Sequence, residues 1–378
     1  MITSLGPRHH ISRPPVAVDV AVVGAGPAGL AAAIECARLG ARPVVFDENL
    51  RPGGQLFKQI HKFFGSKEHK AGTRGFDIGS TLLEDARTAG VDVHLSATVL
   101  GVYPERVLSV IECDSHRLYK ARCVILATGA TENALSFPGW TLPGVMGAGA
   151  AQTMINVNRV LPGRRVVMVG TGNVGLIVSY QLLQAGADVA CLVEAAPNIG
   201  GYGVHAAKVR RAGVPIYLSH SVKEAQGSDE VERVVLIGLS PDWRPVPGTE
   251  FCVEADTICL AVGLTPLTEL AQILGCEMTY MPSLGGHVPL HDDNMETSVD
   301  GVYVAGDIAG VEEASSAMEE GRLAGVSAAE SLGLCDEGAA EARRWEIRAR
   351  LDALRTGPFG GGRRSDRQSL VEKGRRQA

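Results

Sequence analysis

Two glycine-rich turns, GAGPAG at residues 24–29 and GTGNVG at 170–175, constrain this 378-residue chain more than any other feature. Each follows a run rich in β-branched residues and opens a helix-like stretch. A strand that turns through glycines into a helix brings main-chain N–H groups and a helix N-terminus to one point, where they can meet a phosphate. Two further signals flank the second turn: VILATG at 124–129 before it and GVYVAGD at 301–307 after it. The order predicts an α/β fold with two Rossmann-like dinucleotide-binding domains, the second inserted into the first. We expect residues 16–140 and 269–335 to form the discontinuous outer domain and 164–268 the inner one. Residues 336–378 are expected to be a C-terminal helix and basic tail. The stretch FPGWTLPGV at 137–145 is too broken by Pro and Gly for regular structure and is expected to carry the chain between domains.

In the first turn Gly24 allows the tight bend, Gly26 lets the backbone approach a pyrophosphate, and Gly29 lets helix pack on strand. Pro27 and Ala28 begin that helix. Asp47 follows Gly24 by 23 residues at the end of the strand VVFD, where a carboxylate can accept a ribose hydroxyl. Glu48 beside it, Gly54 and Gln55 of the next glycine turn, and Val99 are expected to line the same ligand. NAD and FAD share this first motif, so the later elements decide. Thr128 and Gly129 end one strand; Gly306 and Asp307 end another. Asp307 is placed to accept from a ribityl chain, and the helix starting near Ala314 is placed to face an isoalloxazine. In this order the set resembles the FAD domain of the two-dinucleotide-binding flavoproteins, over residues 16–335.

The second turn repeats the pattern with Gly170, Gly172 and Gly175, while Asn173 replaces the proline and Val174 follows. Glu194 is its candidate ribose acid, 24 residues after Gly170, and Ala187-Asp188 is expected to hold the extra residue. An acid without an adjacent arginine favours NAD(H) over NADP(H); another adenine nucleotide, or none, is the alternative. The resemblance suggests DTICLAVGLTP at 256–266, with Gly263, as this domain's exit strand.

Hydrophobic residues make up 45% of the chain and charged residues 21%, an ordinary globular balance. No apolar run reaches the ~18–20 residues of a membrane span, and the N-terminus MITSLGPRHHISRPPVA has no signal-like apolar core, so the cytoplasm is expected. The eight cysteines form no CxxC or CxxxxC pair, which leaves no redox disulfide and no clustered metal or iron–sulfur ligands in view. The net charge of −6 is uneven: residues 341–378 carry eleven Lys/Arg against five acids, +6 there and −12 elsewhere. Such a tail is either a solvated terminus or a docking segment; no aromatics interleave its basic residues after Phe359, which argues against nucleic acid.

The missing cysteine pairs set the chain apart from disulfide and thioredoxin reductases. The segment ATGATENALSFPGWTLPGVMGAGAAQTMIN at 127–156 instead resembles the subunit shared by opine oxidases, hydroxyproline and related amino-acid dehydrogenases and bacterial hydrogen cyanide synthase, and a segment of sarcosine oxidase α chains. That resemblance implies an FAD-containing electron-transfer subunit in a hetero-oligomer. An amino-acid-oxidase-like flavoprotein would oxidise the C–N bond, and an iron–sulfur centre would relay the electrons. No cysteine follows Cys335, so the cluster is expected on a separate small subunit, with the basic tail as a docking segment. The rival readings are a free-standing NADH-dependent flavin oxidoreductase and a structural nucleotide-binding subunit. No catalytic residue stands out; of Lys58, His61, Lys62 and His69, in the insertion after Gly53-Gly54-Gln55, one could approach the flavin, but a solvated loop is expected.

Overall fold

The computed structural model describes residues 14–63, 66–356 and 361–375. The chain divides into two compact units: an outer one holding residues up to Phe57, His61–Ala130 and Pro266 onward, and an inner one holding Lys58–Ile60 and Thr131–Thr265. Both are Rossmann-like.

The outer unit is built on parallel strands in the spatial order Asp92–Leu95, Pro43–Asp47, Val16–Val23, Ser115–Leu126, Val302–Val304. Val20–Val23 and all of Pro43–Asp47 are buried, as unbroken apolar strands covered on both faces must be. Beside Val16–Val23, the twelve-residue strand Ser115–Leu126 serves two further partners along its other edge. Its first half pairs antiparallel with Val107–Glu112, which pairs with Ala97–Tyr103; Val124–Leu126 pair in parallel with Val302–Val304. Helix Pro27–Arg38 places proline in its first turn, where no backbone donor is lost, and packs on helix Ala314–Ser331. That crossing needs glycine: a Cβ on Gly321 would lie 2.0 Å from the Ala28 carbonyl oxygen, and one on Gly325 2.5 Å from that of Ala32. Helix Gly75–Thr88 carries Gly79 for close approach to the glycine turn: a Cβ on it would lie 3.1 Å from Gly53 Cα.

The inner unit repeats the plan with parallel strands Ile216–Leu218, Asp188–Glu194, Arg165–Val169, Thr257–Leu260 and Val145–Gly147, plus an antiparallel sheet of His220–Gln226, Arg233–Gly238 and Phe251–Glu254. Here the expected boundaries shift. Residues 137–144 are irregular but belong to the inner unit, with Val145 starting a strand; the chain crosses at Ala130/Thr131 and Thr265/Pro266. Its glycines are packing sites: a Cβ on Gly139 or Gly144 would lie 2.2 or 2.4 Å from the carbonyl oxygens of Ala225 and Asp256.

The C-terminal region is likewise not a separate tail. Helices Glu337–Arg355 and Gly361–Arg375 belong to the outer unit, and Leu370 is wholly buried with Met281, Leu284, Val288 and Leu290. Its arginines pair with the unit's own acids: Arg343 with Glu35, Arg344 with Glu330, Arg350 with Glu319, and Arg355 with Glu312 and Glu320. These arginines are spent on intramolecular pairs, which corrects the docking-segment expectation for them; residues 357–360 and 376–378 lie outside the described residues. Among the described residues no helix is long and apolar enough to cross a membrane.

Candidate cofactor-binding sites

In the outer unit the predicted residues converge. Gly24 has a φ of +108°, and a Cβ on it would lie 2.3 Å from the Ala127 carbonyl oxygen, next to Thr128. Gly29 is equally confined, with the Gly24 carbonyl oxygen 1.8 Å from where its Cβ would be. Gly26 differs: it caps helix Pro27–Arg38 without a side-chain bond, and its Cβ would approach nothing closer than Gly54 Cα at 3.9 Å. A Cβ on Gly129 would meet nothing within 4 Å. The turn is thus packed behind and open in front, beside unsatisfied helix N–H groups, and this cradle fits a pyrophosphate.

Asp47 is buried and accepts from the Ala25 amide at 2.6 Å on one oxygen, and from the Asn49 backbone and side-chain nitrogens at 2.8 and 2.9 Å on the other. The Gly53 amide donates to the Ala25 carbonyl at 2.8 Å and closes the following glycine turn over the first. Ala25 and Asn49 do not stand out in the sequence: the turn uses Ala25 only as backbone, and Asn49 reads as one more polar loop residue. Glu48 and Gln55 are exposed at the turn's edge. Val99 lies in strand Ala97–Tyr103, packed on the core, and the preceding Ser96 amide donates to the Asn49 carbonyl at 3.0 Å. The Thr128 hydroxyl donates to the Leu267 carbonyl at 2.6 Å.

Gly306 joins this assembly through Ala28, whose Cβ lies 2.9 Å from where a Gly306 Cβ would be. Asp307 accepts the Glu312 amide at 3.2 Å, and Ala314 is the first residue of its helix, as expected. Burial pushes the Asp307 carboxyl up to about 6; the Glu312 amide and the Arg367 charge pull it down, while Glu320 and Glu313 add to the rise. Behind the turn lie two fully buried acids that periodicity alone would place on a solvated face. Glu320 accepts the Gly306 amide at 2.9 Å, and Glu319 meets His69 at 2.8 Å and Arg350 at 3.0 Å. His69 is therefore core, held on its other side by Ser66 at 2.8 Å, and not part of a solvated loop. Lys62 is exposed, and His61 stacks on Phe63. Lys58, in the inner unit, donates to the Gly149 carbonyl at 3.3 Å, and burial lowers its pKa despite the opposing charge of Glu132.

The inner unit reproduces the backbone bonds of the first site. A Cβ on Gly170 would lie 2.2 Å from the Ala261 carbonyl oxygen and one on Gly175 2.1 Å from that of Gly170, while one on Gly172 would meet nothing within 4 Å. Glu194 accepts the Thr171 amide at 2.8 Å and the Ala196 amide at 3.0 Å, and it also takes the Thr171 hydroxyl at 2.7 Å. The Gly201 amide closes on the Thr171 carbonyl at 2.9 Å, as Gly53 does on Ala25. Asn173 does not face the open side alone: its side chain accepts the Tyr202 amide at 2.9 Å. Val174, in the helix's first turn, is 43% exposed, and Gly263, at φ +111°, accepts the Asn133 amide at 3.1 Å. The extra residue before Glu194 is Ala190: Val189 pairs with Val166 and Cys191 with Val167, so a bulge absorbs it. The expected location, Ala187-Asp188, is wrong because Asp188 already pairs in register with Arg165.

Comparison with known proteins accords with this geometry. The model of the pyridine nucleotide-disulphide oxidoreductase family matches residues 18–321. An opine oxidase subunit of Agrobacterium tumefaciens (strain Ach5) is 33% identical, the match covering 89% of this chain and 72% of that protein. Hydrogen cyanide synthase subunit HcnB of Pseudomonas aeruginosa is 31% identical, covering 88% and 75%. Among solved structures, T. acidophilum thioredoxin reductase superposes with a TM-score of 0.69 at 22% identity, covering 84% of this chain and 99% of that one, a likeness of fold.

Proposed function

The chain belongs to the pyridine nucleotide-disulphide oxidoreductase family and is an FAD-dependent oxidoreductase, and from that premise we propose that it is the electron-transfer subunit of a multisubunit dehydrogenase of amines or amino acids. The observation that carries this reading is the pairing of a complete outer-unit cradle with cysteines that are all free and, in sequence, never paired as CxxC. A dithiol substrate has no partner thiols here, whereas the relatives named as subunits of larger oxidases and synthases match most of the chain.

FAD, when bound, supplies a carrier that takes up electron pairs and releases them singly or together. The chain's own task is to hold it. The Gly24–Gly29 turn and the N-terminus of helix Pro27–Arg38 would take the pyrophosphate, Asp47 the ribose, and Asp307 the ribityl hydroxyls. The inner unit, through Gly170–Gly175 and Glu194, would hold NAD(H) or another adenine nucleotide. The source of electrons would be an amino-acid-oxidase-like flavoprotein acting through a small iron–sulfur subunit. Among the described residues no group of His, Cys, Asp and Glu is arranged to hold a metal ion.

Two measurements test the reading. The purified chain is mixed with NADH anaerobically, and it is co-expressed with its genomic neighbours. The complex-subunit reading expects little bleaching of the flavin band by NADH and co-purification with a second flavoprotein. Rapid bleaching of a chain that stays alone assigns it instead as a free-standing NADH-dependent reductase. A flavin that takes no electrons even in the assembled complex assigns it as a structural subunit.

A further inference from the structure

The turn that carries Asp307 is held at both ends from behind, and the outermost clamp comes from the last helix of the chain. At one end the Gly306 amide donates to Glu320 at 2.9 Å. At the other, the Gly310 carbonyl accepts from Arg367 at 2.7 Å. The two ends are joined, because Arg367 also donates to Glu320 at 2.5 Å and lies 3.4 Å from Glu312, whose amide bonds Asp307. Arg367 is only 5% exposed and Glu320 1%, so neither group can trade its partner for water. The helix is seated there by packing: Leu370 fills the cluster around Leu284 and Val288, and Gly374 lies so close to His291 that a Cβ would come within 2.3 Å of its carbonyl oxygen.

Resting on the assignment of FAD to the outer unit, we infer that Arg367 is a positioning residue for the flavin, and that seating of helix Gly361–Arg375 and occupancy of the FAD site are coupled. Arg367 acts through the turn, by its bonds to the Gly310 carbonyl and Glu320. It fixes the Gly306–Gly310 turn, so the carboxylate of Asp307 is presented in one place rather than several. Coupling of this kind is reciprocal: FAD must hold the helix as firmly as the helix holds the site.

The test uses the full-length protein and FAD titration. Arg367→Ala should weaken FAD binding about tenfold or more, the scale of a lost charged hydrogen bond, and alter the visible band of any flavin that remains. Arg367→Lys, which keeps the charge and one bond, should recover part of the affinity. Arg364→Ala, which loses only a surface pair with Asp352, should bind as the parent does. In the parent protein, added FAD should slow hydrogen exchange of the 361–375 amides. Because that readout needs no mutant, it stands even where Arg367→Ala fails to fold. Normal FAD affinity in Arg367→Ala together with FAD-independent exchange overturns the proposal. A parent protein that takes no FAD overturns the flavin assignment itself, and the proposal with it.

Discussion

The amide of Ala25 donates to Asp47 at 2.6 Å, and the amide of Thr171 donates to Glu194 at 2.8 Å in the same place of the inner unit. In both units the acid at the end of the second strand therefore anchors the glycine turn while retaining lone pairs toward the open side. Each acid accepts three bonds; the third comes from the Asn49 side chain at Asp47 and from the Thr171 hydroxyl at Glu194.

The carboxylate at this place leads to an expectation for nucleotide choice. NADH should bind the inner unit more tightly than NADPH, whose 2′-phosphate would face Glu194. Glu194→Gln should narrow the ratio, and it should also cost about 1–3 kcal/mol of stability, since the amide no longer offers charged acceptors to Thr171. Equal affinities measured by NADH fluorescence titration in the parent protein would remove Glu194 from ribose recognition.

Deletion of Ala190 should be tolerated. It joins the Val189–Val166 and Cys191–Val167 pairs without a bulge and leaves Glu194 beside Thr171, the arrangement the outer unit already has. Deletion of Leu192 restores the same spacing for Glu194 but moves Ala190 and Cys191 one pair along, which turns Cys191 toward the opposite face and should cost the inner unit far more stability. Thermal unfolding of the two single-residue deletions decides between them.

Asp307→Asn should separate stability from binding. The buried carboxyl has a pKa of about 6, above its ordinary 3.8, so its favourable contribution is complete below pH 3.8 and is lost as pH rises through 6. At pH 7.5 the flavin-free Asn variant should therefore be the more stable protein, by on the order of 2 kcal/mol, with the gap shrinking below pH 6. The same variant should purify with less FAD. A variant that loses stability at pH 7.5, or that holds its full flavin complement, contradicts the expectation.

Truncation after Thr356 removes Arg367 and Leu370 together. A map of net charge alone points to a tail that could be cut without touching the flavin; the buried pair with Glu320 predicts the reverse. Stability should fall by roughly 3–5 kcal/mol, and FAD content should fall with it, at low and high salt alike. Differential scanning calorimetry and the flavin absorbance of the purified protein measure both.

What the sequence disclosed and what it concealed follow from chemistry at particular residues. Gly24, Gly29, Gly170 and Gly175 could be read because no other residue allows the turn, and Asp47 and Glu194 because they end apolar strands. The bulge at Ala190 left only a spacing of one residue too many, with nothing to say where it was taken up. Glu319 and Glu320 were concealed because a buried acid is written with the same letters as a solvated one. Their arginine partners lie far along the chain, at Arg350, Arg355 and Arg367, and a local charge count sees only a basic tail.

The strand Ser115–Leu126 has a consequence for the order in which the molecule assembles. Its C-terminal half waits for Val302–Val304, and all of the inner unit except Lys58–Ile60 lies between them in the chain. During synthesis the inner unit, nearly continuous from Thr131 to Thr265, can close on its own as it leaves the ribosome. The outer unit cannot; its sheet stands with one edge of Val124–Leu126 bare until Val302–Val304 have been made. Closure of the inner unit shortens the stretch of loose chain that separates the two halves of the outer one.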